Sequence, residues 1–213
     1  MKYEWRKCDK KLYIPKTEPE ITNLESYNYI VVDGTGNPNS ESFQNAIEAL
    51  YALSYTIKMS LKKSNSISDF YDYTVFPLEG IWDLTEEGKE MFQEGSLIID
   101  IKDHLKYQLM IRQPEFVTKN VFDSFLEPTF KKKKNDLIMK ARFYESPQET
   151  VCQCLHIGSY DLEPATFAKM ESFCNQNNYK RESKIHTEIY LSDARKTAVE
   201  KLKTTLRFKV VEA

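Results

Sequence analysis

The chain is sparing in the residues that punctuate or cross-link a fold: its 213 residues include 6 glycines, 8 prolines, 4 cysteines and 3 histidines. So little glycine and proline excludes a glycine-rich or disordered polymer. No apolar run approaches the roughly 18–20 residues that a membrane-crossing helix requires, so no membrane partner is expected. The opening Met1-Lys2-Tyr3-Glu4-Trp5-Arg6-Lys7 is charged, with no apolar stretch behind it. It does not read as a signal peptide, and the expected location is the cytoplasm. Basic charge is not in excess either: 30 Lys and Arg against 32 Asp and Glu leave −2. That argues against a protein whose main task is coating nucleic acid, and no nucleic-acid partner is expected. The run Lys131–Lys134 reads as a solvated patch.

Catalytic signatures are missing as well. There is no H-E-x-x-H, P-loop or G-x-G-x-x-G, and no Ser-His-Asp or Cys-His arrangement declares itself. The stretch Asp33-Gly34-Thr35-Gly36-Asn37-Pro38 lacks the third glycine and the phosphate-binding lysine, and reads as a turn. Cys152, Cys154 and His156 share one face of a strand, short of the ligand set of a structural zinc site. The cysteines read as reduced thiols packing as small apolar groups. No metal and no other cofactor is expected.

Aromatics, in contrast, are plentiful at 13%: 13 Tyr, 12 Phe and 2 Trp. They fill cores, and they line pockets for flat ligands.

Periodicity predicts a strand over Tyr29–Gly34 and a helix over 40–63 with Phe43, Ile47, Leu50, Ile57 and Leu61 on one stripe. Strands follow over Tyr71–Trp82 and Tyr107–Arg112, with an irregular excursion at 83–104 holding one short helix. A helix over 116–134 is expected to break or kink at Pro128. Then come a strand at Thr150–Ile157, a helix at Glu163–Asn177 with Pro164 in its first turn, and strands at Ile185–Leu191 and Leu206–Val211. The order strand–helix–strand–strand thus occurs twice. The expected fold class is α+β: tandem βαββ repeats with a central ligand cleft, all of 1–213 forming a single domain. Its parts are an N-terminal arm (1–28), a first half (29–112), a connecting helix (116–134) and a second half (140–213).

The strand Ile185-His186-Thr187-Glu188-Ile189-Tyr190-Leu191 alternates strictly. Ile185, Thr187, Ile189 and Leu191 form an apolar face expected to lie under the helices, and His186, Glu188 and Tyr190 form the other. That second face is either a solvated polar surface or a row of functional groups. Laying one half on the other puts Glu79 on Glu188, so two glutamates are expected to face one cleft. A carboxylate among aromatic rings attracts cations, can have a raised pKa and can act as a general base on water. Gly80 hints at a bulge that brings Trp82 to the cleft side. Tyr55, Tyr71 and Tyr144 are the further ligand-binding candidates.

These residues carry a resemblance. His186-Thr187-Glu188-Ile189-Tyr190-Leu191-Ser192-Asp193, with His156-Ile157-Gly158-Ser159-Tyr160 upstream and the tail Lys201–Arg207, resembles the GyrI-like small-molecule-binding domain. Leu12–Lys16, Val32–Pro38, Pro77-Leu78-Glu79-Gly80-Ile81-Trp82 and Arg112–Val117 resemble its stand-alone bacterial subgroup. The resemblance implies a tandem pair of βαββ units around a ligand cleft. It also implies a glutamate, here Glu188, that anchors lipophilic cations in regulators. In the subgroup that glutamate helps open the cyclopropane ring of cyclopropanoid alkylators. By position Glu188 is the catalytic carboxylate, Glu79 and Trp82 form the facing wall, and Tyr190 and His186 are neighbours. Where the subgroup has a second aromatic after the Trp, this chain has Asp83. The expected partner is a lipophilic aromatic or cationic small molecule, bound by a monomer or homodimer. The open alternative is a drug-binding or sensor protein without turnover.

Overall fold

Alternating β-branched and aromatic residues make the strands of this chain, and apolar stripes at helical spacing make the helices that cover them. A computed structural model describes residues 2–64, 67–91 and 102–213. The arm holds two single-turn helices, α1 (Trp5–Cys8) and α2 (Lys10–Tyr13), then strand β1 (Glu20–Leu24). The first βαββ set is β2 (Asn28–Thr35), α3 (Glu41–Ser64), β3 (Leu78–Leu84) and β4 (Leu105–Gln113), with short α4 (Glu86–Met91) after β3. Helices α5 (Lys119–Lys133) and α6 (Leu137–Lys140) and strand β5 (Arg142–Glu145) connect it to the second set. That set is β6 (Glu149–Ile157), α7 (Glu163–Gln176), β8 (His186–Tyr190) and β9 (Lys203–Glu212), with the small strand β7 (Tyr179–Arg181) between α7 and β8. The α+β class and the doubled βαββ order are as expected. Of the irregular excursion, residues 92–101 lie outside the described residues.

All strand pairings are antiparallel, and the path across the sheet is β1-β6-β9-β8-β3-β4-β2-β5, with β7 on β9. The two sets meet where β3 pairs with β8, so one sheet runs through both. Directly paired residues share a face. Leu78, Gly80 and Trp82 lie opposite Tyr190, Glu188 and His186, and Glu79 lies opposite Ile189. The first six belong to the face covered by α3 and α7: Phe43 of α3 stacks on Trp82, and Thr166 of α7 bonds to His156, two strands from His186. This reverses one expectation. The helices lie over the His186–Glu188–Tyr190 face, and Ile189 packs on the other side of the sheet.

That other side is covered by the arm. Thr205 donates to the Tyr13 carbonyl at 2.7 Å, Gln153 to the Lys11 carbonyl at 3.1 Å, and Arg207 to the Leu12 carbonyl. Trp5 is buried and donates its indole N–H to the Val75 carbonyl at 3.0 Å.

Two further expectations are corrected. Strand β3 begins at Leu78 rather than Tyr71, because Pro77 has no N–H for a ladder. Residues 71–77 instead pack Tyr73 and Phe76 into the core, with one bridge from Tyr73 to Tyr3. Helix α5 is not broken at Pro128 and runs on to Lys133. An interior proline costs about 3 kcal/mol, but Phe122, Phe125, Leu126 and Phe130 all pack against the core from this helix and outweigh it. Thr118 caps its start, accepting from the Val121 N–H, and Lys134 closes it in the left-handed conformation. Among the described residues no helix is long and apolar enough to cross a membrane.

Candidate functional site

The central strands β3 and β8 form the floor of an open cleft of about 2020 Å³ on the helix face. One wall is α3, which presents Phe43, Ile47, Tyr51 and Tyr55. The other is the Ser159–Glu163 turn and the start of α7, with Tyr160, Glu163 and Phe167. Phe43, Ile47, Tyr51 and Tyr55 recur every fourth residue along α3, and Phe167 lies on α7, whereas Tyr160 and Glu163 come from the turn that enters α7.

On the floor a line of hydrogen bonds ends on Glu188. The Trp82 indole N–H donates to the Tyr190 hydroxyl at 2.9 Å, and that hydroxyl donates to Glu188 Oε2 at 2.8 Å. His186 Nε2 lies 3.3 Å from Glu188 Oε1, and its Nδ1 is 3.2 Å from the Lys184 carbonyl. Glu188 itself is mostly covered, its side chain 13% exposed. Gly80 sits directly across from it. A Cβ on Gly80 would lie 2.9 Å from Trp82 Nε1 and 3.3 Å from the Tyr190 hydroxyl. The glycine therefore leaves the space in which Trp82 and Tyr190 meet, and no bulge is involved. Aromatic rings complete the surroundings. Tyr160 stands edge-on to Tyr190 at 6.2 Å, Phe167 edge-on to His186 at 4.8 Å, and Tyr51 stacks on Tyr55 at 6.2 Å.

Glu163 was not singled out in the sequence, where an acidic residue in a first helical turn looks like an ordinary complement to the helix dipole. It is 5% exposed, and its carboxyl lies beside that of Glu188. Two buried carboxyls side by side cannot readily both be charged, so one of them holds a proton. Glu188 accepts from Tyr190 and faces His186, whereas Glu163 Oε1 is buried with no partner. The proton thus belongs on Glu163. Burial pushes the Glu163 carboxyl well above the usual carboxylate range, and neighbouring Glu188 adds to the push. Burial, and then Glu188, also raise the Tyr190 phenol, and they raise that of Tyr160 to about 12, so both hydroxyls stay as donors.

The structure brings Glu188, Tyr190, His186 and Trp82 together and sets Tyr55, 51% exposed, on the rim. Three candidates lie elsewhere. Glu79 points to the arm face, because a one-residue step along a strand reverses the side-chain direction. It is fully buried there, and burial pushes its carboxyl up to about 7 against the pull of Arg207, Arg112, Tyr29 and Tyr13. Tyr71 precedes β3 and donates to Glu115 at 2.9 Å, its ring against Tyr3 and Phe116. Tyr144 is on the edge strand β5 opposite Tyr29, with Arg142 over its ring. Phe43, Tyr160 and Phe167 line the cleft but read in sequence as core and turn.

His156 is locked at both nitrogens, 2.8 Å from Thr166 Oγ1 and 2.9 Å from the Ser159 carbonyl, while Cys152 and Cys154 are buried beside it. Among the described residues no group of three or more His, Cys, Asp or Glu is placed to hold a metal.

Solved structures of the same fold cover the full length. A crystal structure of a hydrolase from Listeria innocua is 33% identical, aligns over 99% of this chain and 100% of its own, and has a TM-score of 0.87. An uncharacterised conserved protein from the same organism is 33% identical over 98% of this chain and 100% of its own, at 0.86. A second hydrolase from Listeria innocua is 31% identical with the same coverage, at 0.84. No curated protein matches the chain. A cleft between two βαββ sets, floored by their central strands, agrees with the sequence match over residues 17–211, and the chain belongs to the GyrI-like small-molecule-binding domain family.

Proposed function

We propose that the cleft binds a flat, lipophilic or cationic small molecule and hydrolyses it, with Glu188 as the base, in the manner of cyclopropanoid ring opening that detoxifies an alkylator. The observation that carries this reading is the held carboxylate: Glu188, fixed by Tyr190 and set beside His186, on an aromatic-walled floor. Full-length similarity to proteins described as hydrolases supports it. In the reaction Glu188 takes a proton from water as the water oxygen bonds to a ring carbon. The strained carbon–carbon bond breaks, and its electron pair passes into the ligand's conjugated carbonyl, which then accepts the proton. Ring strain supplies driving force, so one positioned carboxylate suffices.

The test is incubation with a cyclopropanoid alkylator followed by mass spectrometry. Wild type is expected to give the water-added, ring-opened product, and Glu188→Gln to lose at least about a hundredfold in rate, the usual scale of a general base. The second reading is a sensor or drug-binding protein without turnover. It is favoured by the engagement of both Glu188 oxygens, which suits a fixed charge. Unchanged compound with thermal stabilisation of wild type would select it.

A further inference from the structure

Three of the cations that line the cleft are engaged within the fold. Arg195 lies 2.9 Å from Asp193, Lys89 3.1 Å from Asp83, and Arg181 2.8 Å from Glu171. None of the ion pairs among the described residues brings a lysine or arginine to Glu188 or Glu163. The Glu163 carboxyl is instead kept neutral by its own proton. A buried carboxyl oxygen of Glu163 is left without a partner, and a full negative charge there would be costly unless a cation stood beside it.

We infer that the cleft exchanges a proton for a cation: a positively charged ligand settling between the aromatic walls displaces the proton held on Glu163, and the Glu163–Glu188 pair becomes its doubly charged counter-ion. The inference rests on the reading that the cleft takes a small molecule, and adds what selects it. A cation gains from the second charge, whereas a neutral molecule of the same shape finds the pair neutral on one side and releases nothing. Glu163 is thereby a specificity-determining residue.

The groups that face Glu163 decide whether another could supply the proton. From its own turn come Tyr160 and Asp161; from β8 come Glu188, His186 and Tyr190; beyond β8 lies Asp193, and across the cleft on α3 are Tyr51 and Tyr55. The tyrosines Tyr51, Tyr160 and Tyr190 are all raised by burial, so they hold their protons more firmly than a free phenol. Glu163→Gln separates Glu163 from the other groups.

The experiment is titration calorimetry of the full chain with tetraphenylphosphonium, whose charge does not titrate, in phosphate and in Tris at several pH values. Wild type is expected to release about one proton per cation, with Kd falling about tenfold per pH unit while Glu163 stays protonated. Glu163→Gln keeps the shape and is expected to bind with no proton released and a Kd nearly independent of pH. Binding by wild type without proton release overturns the exchange. Release that persists in Glu163→Gln overturns the assignment to Glu163. Binding of the neutral dye Nile red with no binding of tetraphenylphosphonium overturns the exchange while leaving the cleft a small-molecule site. Failure of both ligands to bind overturns both readings.

Discussion

The smallest residue of the floor has the sharpest structural requirement. Gly80 is not in a left-handed conformation; its place is set by what stands above it. With a Cβ 2.9 Å from the Trp82 nitrogen, Gly80→Ala must move the indole, and the Trp82–Tyr190–Glu188 line moves with it. The variant is expected to fold, to lose tenfold or more in ligand affinity or turnover, and to shift the tryptophan fluorescence. Unchanged affinity would show that the hydrogen-bond line does not position Glu188. The shared face of Glu188, His186 and Tyr190 was legible, since a strictly alternating strand declares which groups lie together; Trp82 was placed beside them only by way of a bulge that the unbroken register of β3 lacks. Glu163 was not legible, because nothing local distinguishes a buried acid at a helix start from a solvated one. Glu79 misled for a related reason. Matching glutamate to glutamate between the halves overlooked that the residue across from Glu188 is Gly80.

Elements were easier to read than the contacts between them. Both long helices and the strands of both βαββ sets follow from apolar periodicity, as the stripe Phe43, Leu50, Ile57 and Leu61 illustrates. The strands β1, β5 and β7 were not legible: they are short edge pieces whose pairing depends on distant partners. The arm was also underread. Its two turns of helix contribute few residues, yet they cover Arg207, Gln153 and Thr205 on the underside of the sheet. Trp5 is the pin that holds it, buried against Tyr13 and bonded to Val75. Trp5→Ala is expected to cost about 3 kcal/mol in urea denaturation, the lower end for removing a large aromatic side chain. A loss below about 1 kcal/mol would show that the arm docks through its backbone contacts alone.

For the molecule as a whole, the buried acids set how stability varies with pH. Glu79 is pushed up to about 7 in the fold from an ordinary value of 4.5. Between those values the folded chain holds a proton that the unfolded chain has lost. The stability this confers is complete below about 4.5 and disappears as pH rises through about 7. Its size is on the order of 3 kcal/mol, at 1.36 kcal/mol per pH unit. Glu163, raised by burial as well, acts in the same direction. Glu79→Gln is therefore expected to narrow the difference in unfolding free energy between pH 5 and pH 8. An undiminished difference would assign the whole pH dependence to other groups.

The pairing of β3 with β8 has one more consequence. The sheet reads the same from either end of its central six strands, β6-β9-β8 and β2-β4-β3, and Gly80 opposite Glu188 falls at the middle of that order. In a molecule made of two identical halves, whatever residue stood at this point would face its own copy. Two glutamates there would repel across about 5 Å, and two glycines would leave no anchor. The site can exist only because the halves differ at the point where they meet: one supplies the charge, and the other makes room for it.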